Sequence, residues 1–304
     1  MADAYLAVVN PAAGGGRCGK QFPEALARLT SAGIGVDVVQ THAPGEAIEI
    51  ARKAWADGRR RFIAVGGDGT GFEVVNGLFP AAGHGGERPR LGFLPMGTGN
   101  SFLRDFTENG AEHSIQAILD DRTRRCDVAR LHHRTASGPA VMHWINILSI
   151  GFVADVNGLR ARRFKAWGEL GYVAAVVTAV ASLTSRAYPL RCDAELLDDK
   201  PMVFASFNNS KYTGGKMMMA PNADTADGLI DFIRVGPLGR FGLLATFPKI
   251  FSGAHLKHPS VTESRHRTID FQGVGEIDVM IDGEAEKVVP LAIDVLPGAL
   301  DVCV

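Results

Sequence analysis

A chain of 304 residues, 46% hydrophobic and 21% charged, carries enough apolar material for two packed domains of ordinary soluble type. A net charge of −1 excludes the global basic footprint that holds nucleic acid without sequence preference. The four cysteines, Cys18, Cys126, Cys192 and Cys303, are scattered with no C-x-x-C pair, which argues for free thiols in a reducing cytosol and against a zinc site or a disulfide framework.

The N-terminus, Met1-Ala2-Asp3-Ala4, has no basic segment ahead of an apolar run. The longest nearly uncharged apolar stretch, 172–183, is about a dozen residues where a membrane span needs roughly 20, so it reads as a buried helix. A cytoplasmic protein is expected. No H-E-x-x-H and no G-x-S-x-G occurs, which leaves metalloprotease and serine-hydrolase readings without a motif.

In chain order, Tyr5-Leu6-Ala7-Val8-Val9 reads as a strand and 21–32 as a helix. Between them, Gly14 to Lys20 follows the Walker A spacing up to its last position, where Gln21 replaces the Ser or Thr that would hold magnesium. A true P-loop is rejected; the turn is then either a further wall of a phosphate site or a plain surface loop. Strand 36–40 leads to Thr41 and a helix near 45–57.

The apolar run Phe62-Ile63-Ala64-Val65 ends in Gly66-Gly67-Asp68-Gly69-Thr70-Gly71-Phe72-Glu73 and opens a helix through Val74-Val75-Asn76-Gly77-Leu78. A buried strand that ends in a glycine turn and starts a helix gathers backbone N–H groups at one point, which suits a polyphosphate. Asp68, at what reads as an exposed turn, can organise a metal-bound phosphate or accept a proton. A second strand, Leu91-Gly92-Phe93-Leu94-Pro95, runs into Met96-Gly97-Thr98-Gly99-Asn100. Two such loops on nearby strands of an open sheet form two walls of one nucleotide site.

After one more helix at 111–120 the pattern changes, at about 122–130. The alternation before it predicts a parallel sheet with helices on both faces. The short β-type runs beyond it, 144–150, 202–207, 229–235, 277–281 and 291–295, predict a mainly antiparallel β domain with helices inserted near 165–185 and 238–254. Asp282-Gly283-Glu284 places two carboxylates at a turn, either aimed across a cleft between domains or simply a hairpin. The stretch from Ala220 to Leu229 is either a cation loop or a polar loop.

Asn10-Pro11 with its glycines, the Thr41 region, Gly66 to Thr70 with Glu73 and Asn76-Gly77, Pro95-x-Gly97-Thr98-x-Asn100, Ala220-Pro221-x-Ala223 to Asp227-Gly228, and Asp282-Gly283-Glu284 occur in the order found in diacylglycerol and sphingosine kinases. Over nearly its whole length the chain resembles that family. The resemblance implies an α/β nucleotide-binding domain over 1–128, a β-sandwich domain over 129–304 whose last strand returns toward the first domain, and transfer of the ATP γ-phosphoryl group to a lipid hydroxyl. It sets ATP against Asn10, Thr41, Gly66, Gly67, Asp68, Gly69, Thr70, Glu73, Gly97, Thr98 and Asp282, and Mg2+ near Asp224, Asp227 and the Leu229 carbonyl. For the proton acceptor it points two ways, to Glu284 and to Asp68.

The segment Ile147 to Val156 looks more like the sphingosine and ceramide kinase branch, with Asp155 and Asn157 at the lipid head. Asn157 stands where sphingosine kinases have a second acidic residue. An amide cannot neutralise an amine but can hydrogen-bond hydroxyl or amide groups, which favours diacylglycerol or ceramide over free sphingosine; otherwise Asn157 is a helix cap. Arg160, Arg162, Arg163 and Lys165, with Phe164 and Trp167 among them, suit peripheral contact at the inner membrane face, a solvated helix face or ATP phosphates. The helix at 172–183 lines an acyl pocket or is core. A kinase of a soluble acceptor, as in NAD kinases, and a catalytically silent lipid- or nucleotide-binding regulator are the alternatives. The sequence leaves monomer and homodimer open.

Overall fold

The computed structural model describes residues 4–84, 86–97, 100–152, 156, 178, 183–195 and 197–304. The N-terminal half runs β1 (Tyr5–Val9), α1 (Arg17–Ser31), β2 (Val36–Gln40), α2 (Glu46–Ala56), β3 (Arg61–Gly66), α3 (Asp68–Leu78), α4 (Ala81–His84), β4 (Arg90–Pro95) and α5 (Gly110–Leu119). The strands β2, β1, β3 and β4 lie side by side and parallel, in that order. β1 is buried along its whole length, because a parallel strand flanked on both edges and covered on both faces needs an unbroken apolar run.

α1 is amphipathic, burying Cys18, Phe22, Ala25 and Leu29 at helical spacing. It starts at Arg17 and not near 21, since Gly14, Gly15 and Gly16 all take positive φ (63°, 69° and 87°) and complete the turn themselves. Lys20 and Gln21, the end of the Walker-like string, are therefore on the helix and not in the loop.

The C-terminal half contains β5 (Thr123–Thr135), β6 (Gly138–Trp144), β7 (Ile147–Gly151), β8 (Arg186–Ala187), β9 (Leu190–Cys192), β10 (Pro201–Met202), β11 (Phe204–Asn208), β12 (Tyr212–Thr213), β13 (Met217–Met218) and β14 (Ile230–Val235). After these come a short helix α6 (Arg240–Thr246), 3-10 turns at Phe247–Ser252 and Ala254–Lys257, and β15 (Val261–His266), β16 (Thr268–Phe271), β17 (Ile277–Ile281) and β18 (Glu284–Cys303). It forms an antiparallel β-sandwich. One layer runs β15-β14-β11-β7-β17-β18; β18 also pairs with β5 and β16, which add β6 and β9.

Three strand expectations need correction. The run at 144–150 is two strands, because the Ile145, Asn146 and Ile147 N–H groups turn toward the Asp282 carboxylate. The run at 202–207 is divided between β10 and β11 at Val203, whose N–H bonds to the Val235 carbonyl. The run at 291–295 is the middle of β18, a strand of 20 residues.

β18 joins the halves. It pairs antiparallel with β5 over most of its length and, at its end, parallel with β4 through Asp301↔Arg90 and Val302↔Leu91. Cys126, Val128, Leu300 and Val302 belong to the apolar core beneath the parallel sheet, whereas Ala129, Leu131 and Ile293 belong to the core of the sandwich. Two long strands thus run from one core into the other, which fixes the carboxyl ends of the parallel strands relative to the β17–β18 turn.

Candidate active site

The carboxyl ends of β1, β2, β3 and β4 open into a cleft of about 530 Å3. Its walls include Asn10, Gly14, Thr41, Gly67, Asp68, Gly69, Thr70, Glu73 and Gly97 from the parallel sheet and Asp282, Gly283 and Glu284 from the sandwich. Gly66 lies beneath the cleft and does not line it, accepting the Met96 and Gly97 N–H groups on its carbonyl at 2.8 Å each. Thr98, Asp155 and Asn157 lie outside the described residues, as do the cations at 160–165, Trp167 and most of 172–183.

The two glycine loops need each other. A Cβ on Gly97 would stand 2.5 Å from Gly67 Cα, so backbone rests on backbone and position 97 has no room for a side chain. The first turn of α3 starts there, and its leading N–H groups lack intrahelical acceptors. Arg17, which sequence reasoning passed over, bridges the loops by donating from Nε to the Gly14 carbonyl at 3.0 Å and from Nη2 to the Gly97 carbonyl at 3.4 Å. It thereby holds a guanidinium between the two loops. Its place inside the rejected Walker-like string was the available signal.

Asp68 heads α3 but is not the exposed carboxylate that its turn suggested. It is half-buried, takes the Ser101 N–H at 2.8 and 3.0 Å on its two oxygens, and has its pKa raised by burial against the lowering effect of those bonds. Glu73 accepts the Gly45 N–H at 2.9 Å and the Ala47 N–H at 3.1 Å, so it clamps the start of α2 onto α3 while forming part of the cleft wall.

The two carboxylates of the β17–β18 turn do different work. Asp282 is 3% exposed, and both its oxygens face backbone: Oδ2 takes Ile145 N–H at 3.0 Å, and Oδ1 takes Asn146 and Ile147 N–H at 3.1 and 2.9 Å. Burial, with the Asp68 carboxylate adding to it, pushes its pKa up to about 7. Asp282 thus anchors the turn, and its oxygens are already committed. Glu284 stands open to the cleft over Gly69, its pKa raised by partial burial and then by the Glu73 and Glu286 carboxylates.

Asp224, Asp227 and Leu229 share one turn. Asp224 Oδ1 accepts from Arg124 at 2.9 Å, Asp227 Oδ1 accepts Leu229 N–H at 3.0 Å, and Asp227 Oδ2 is 3.9 Å from Arg265. The oxygens are of the kind a hard cation takes, yet among the described residues no three ligating side chains converge, and arginines supply the positive charge.

A second cavity, about 250 Å3, lies in the sandwich and is lined almost wholly by apolar side chains, among them Ile147, Phe152, Met219, Leu243, Phe247 and Met280. Ser149 Oγ is buried in its wall with no hydrogen-bond partner among the described residues. Met280 of β17 faces this cavity, and two residues on the same chain reaches the polar cleft at Asp282.

Comparison with known proteins agrees with this layout. Residues 4–131 match the model of the diacylglycerol kinase catalytic domain, and residues 146–304 match that of the YegS C-terminal NAD kinase beta sandwich-like domain. A protein named diacylglycerol kinase from Mycobacterium tuberculosis is 31% identical, the match covering 97% of this chain and 93% of that one. One from Staphylococcus haemolyticus is 25% identical over 97% and 86% of the two chains. A crystal structure of a diacylglycerol kinase from Bacillus anthracis superposes with a TM-score of 0.70 at 21% identity, covering 99% and 96%. Yeast NADH kinase bound to NADH superposes at 0.54 and 10% identity, covering 99% and 83%, a likeness of fold alone. With two domains matched in series and a relative of this identity along nearly its full length, the chain belongs to the diacylglycerol kinase family.

Proposed function

We propose that the protein transfers the γ-phosphoryl group of ATP to the hydroxyl of a neutral acylated lipid, with diacylglycerol first and ceramide second. One observation carries this reading: a single turn ends in the polar cleft and begins in an apolar cavity, so a phosphate donor and an acyl acceptor can meet at 282–284. The unpartnered Ser149 hydroxyl suits a polar group where the acyl chains begin.

The N–H groups at the head of α3 and the Arg17 guanidinium receive the phosphates. Phosphoryl transfer has a loose transition state and depends mostly on positioning and neutralisation of charge. Glu284, the carboxylate open to the cleft, takes the proton of the acceptor hydroxyl, and its raised pKa suits it to that task. Asp68 is fixed by Ser101 at the mouth of the glycine turn and orients the donor. Magnesium, when bound with ATP, supplies neutralising charge on the phosphate oxygens. A further cation on the Asp224 turn would have to displace Arg124. Apolar walls favour a lipid over the soluble dinucleotide of an NAD kinase.

The test is transfer of labelled γ-phosphate from ATP and magnesium to diacylglycerol, ceramide, sphingosine and NAD, with Glu284→Gln and Asp68→Asn as controls. Label on a neutral lipid that is lost in the controls supports the reading. Label on NAD alone replaces it with a soluble acceptor, and ATP binding without label on any acceptor replaces it with a regulator.

A further inference from the structure

Eight large apolar side chains stand exposed among the described residues, and four of them, Phe241, Leu244, Phe247 and Phe251, fall on α6 and the 3-10 turn that follows it. They are 88%, 54%, 43% and 53% exposed. Scattered single apolar residues on a surface need no explanation, but three phenylalanines and a leucine on one short segment do.

This segment is also a wall of the apolar cavity. Leu243, Thr246 and Ile250 turn inward to line it, while Leu244 and Phe247 both line it and reach solvent. The cavity therefore opens onto the exposed apolar patch. Phe241 and Phe251 flank the mouth without lining the cavity.

The charged side chains of the segment itself have one sign. From Phe232 to Thr262 the sequence holds no Asp or Glu, and it carries Arg240, Lys249 and Lys257 around the four apolar side chains. Lys249 and Lys257 are exposed. Aromatic side chains flanked by cations are what an interface of acyl chains beneath anionic headgroups selects. A second copy fits less well, since a two-fold contact would bring like charges together with no carboxylate in the segment to pair them.

We infer that α6 and the following 3-10 turn form the surface by which the protein docks on an anionic lipid bilayer, with Phe241 and Phe251 entering the acyl layer and the mouth between Leu244 and Phe247 set against the lipid. The inference rests on the lipid-kinase reading for its purpose and not for its test. An acceptor would pass from bilayer to cavity without crossing water.

The experiment is flotation of the protein with vesicles of phosphatidylcholine, with and without phosphatidylglycerol, for the wild type and for Phe241→Gln/Phe251→Gln. Phosphorylation of vesicle-embedded diacylglycerol and of a short-chain diacylglycerol in detergent micelles is measured beside it. The wild type floats with the anionic vesicles; the variant loses at least about tenfold in partitioning and loses turnover on vesicles, while it keeps turnover in micelles. Equal partitioning of the two proteins, or a wild type that floats with neither vesicle, overturns the inference. A variant that only converts a dimer to a monomer, with vesicle binding unchanged, overturns it in favour of a contact between copies. Failure of the lipid-kinase reading appears separately, as absence of label on every lipid whatever the flotation result.

Discussion

A Cβ on Gly69 would stand 2.6 Å from Glu284 Oε1, so the carboxylate of the sandwich turn is seated directly over the glycine loop of the parallel sheet. Only the free end of a flexible side chain is in the way. Gly69→Ala is therefore expected to fold with stability changed by no more than about 1 kcal/mol, and to lose about tenfold or more in kcat because Glu284 is pushed aside. Gly97→Ala is the contrast. Its Cβ would meet Gly67 Cα at 2.5 Å and Gly67 N at 2.8 Å, where only backbone can yield, and it should cost about 1–3 kcal/mol. Thermal melts beside steady-state kinetics separate the two; equal losses of stability would refute the distinction.

Glu284→Gln should lower kcat by about 10²- to 10⁴-fold with ATP affinity nearly unchanged, and Asp68→Asn by at least as much. The raised Glu284 pKa adds a pH signature. Turnover should fall as pH drops through a value above the usual glutamate range, and this acidic limb should be missing from the residual activity of Glu284→Gln. An identical limb in that variant would reassign the base.

Asp282 makes stability fall as pH rises. Its carboxyl keeps its proton in the folded chain up to about 7, whereas an unfolded aspartate loses it near about 4. Between these values the folded chain binds more protons than the unfolded one, so each rise in pH favours unfolding, and the stabilising contribution present below the unfolded value is gone above the folded one. Asp105 and Asp231, both pushed up to about 6 by burial, act in the same direction. The thermal midpoint should drop between about pH 4 and about pH 7, less steeply below about 6.5, where buried His143, its pKa pushed down to about 4, acts the other way. Asp282→Asn should be less stable throughout, having one acceptor oxygen for three N–H groups, and should show a shallower slope. A slope as steep as the wild type's would place the titration elsewhere.

Ser149→Ala separates acceptor binding from stability. Removing a buried hydroxyl without a partner should leave the melting temperature equal or higher, while KM for the lipid acceptor rises several-fold and KM for ATP does not. A fall in stability with unchanged KM would mean that the hydroxyl serves packing alone.

At the Asp224 turn, where Arg124 and Arg265 already supply the positive charge, magnesium without nucleotide is expected to move the thermal midpoint of the wild type and of Asp224→Asn/Asp227→Asn equally. A rise confined to the wild type would place a cation at this turn in place of Arg124.

The parallel sheet was legible because its buried strands are continuous apolar runs and its turns carry glycine where φ must be positive. The glycine loops declared the cleft for a different reason: Gly66 and Gly97 sit where a Cβ would clash with its neighbours, and neither takes positive φ. Spacing could not reveal that Asp282 and Glu284, two positions apart at one turn, face in opposite directions. That difference depends on three N–H groups of 145–147, distant in sequence. Arg17 was hidden because its partners are carbonyls, and a backbone acceptor leaves no mark on residue identity. The length of β18 escaped because Pro290, Pro297 and Gly298 break up its pattern, and bulges beside them absorb the irregularity.

The pairing of Arg90 with Asp301 spans 211 positions (301 − 90), more than two thirds of the sequence. As the chain is synthesised, β4 is made early and must wait for its second neighbour until almost everything else has been made. During that interval one edge of the parallel sheet carries unpaired backbone groups next to the nucleotide loops. Such distant closure is slow, and it makes completion of the nucleotide site one of the last events of folding, conditional on a sandwich already able to deliver its final strand.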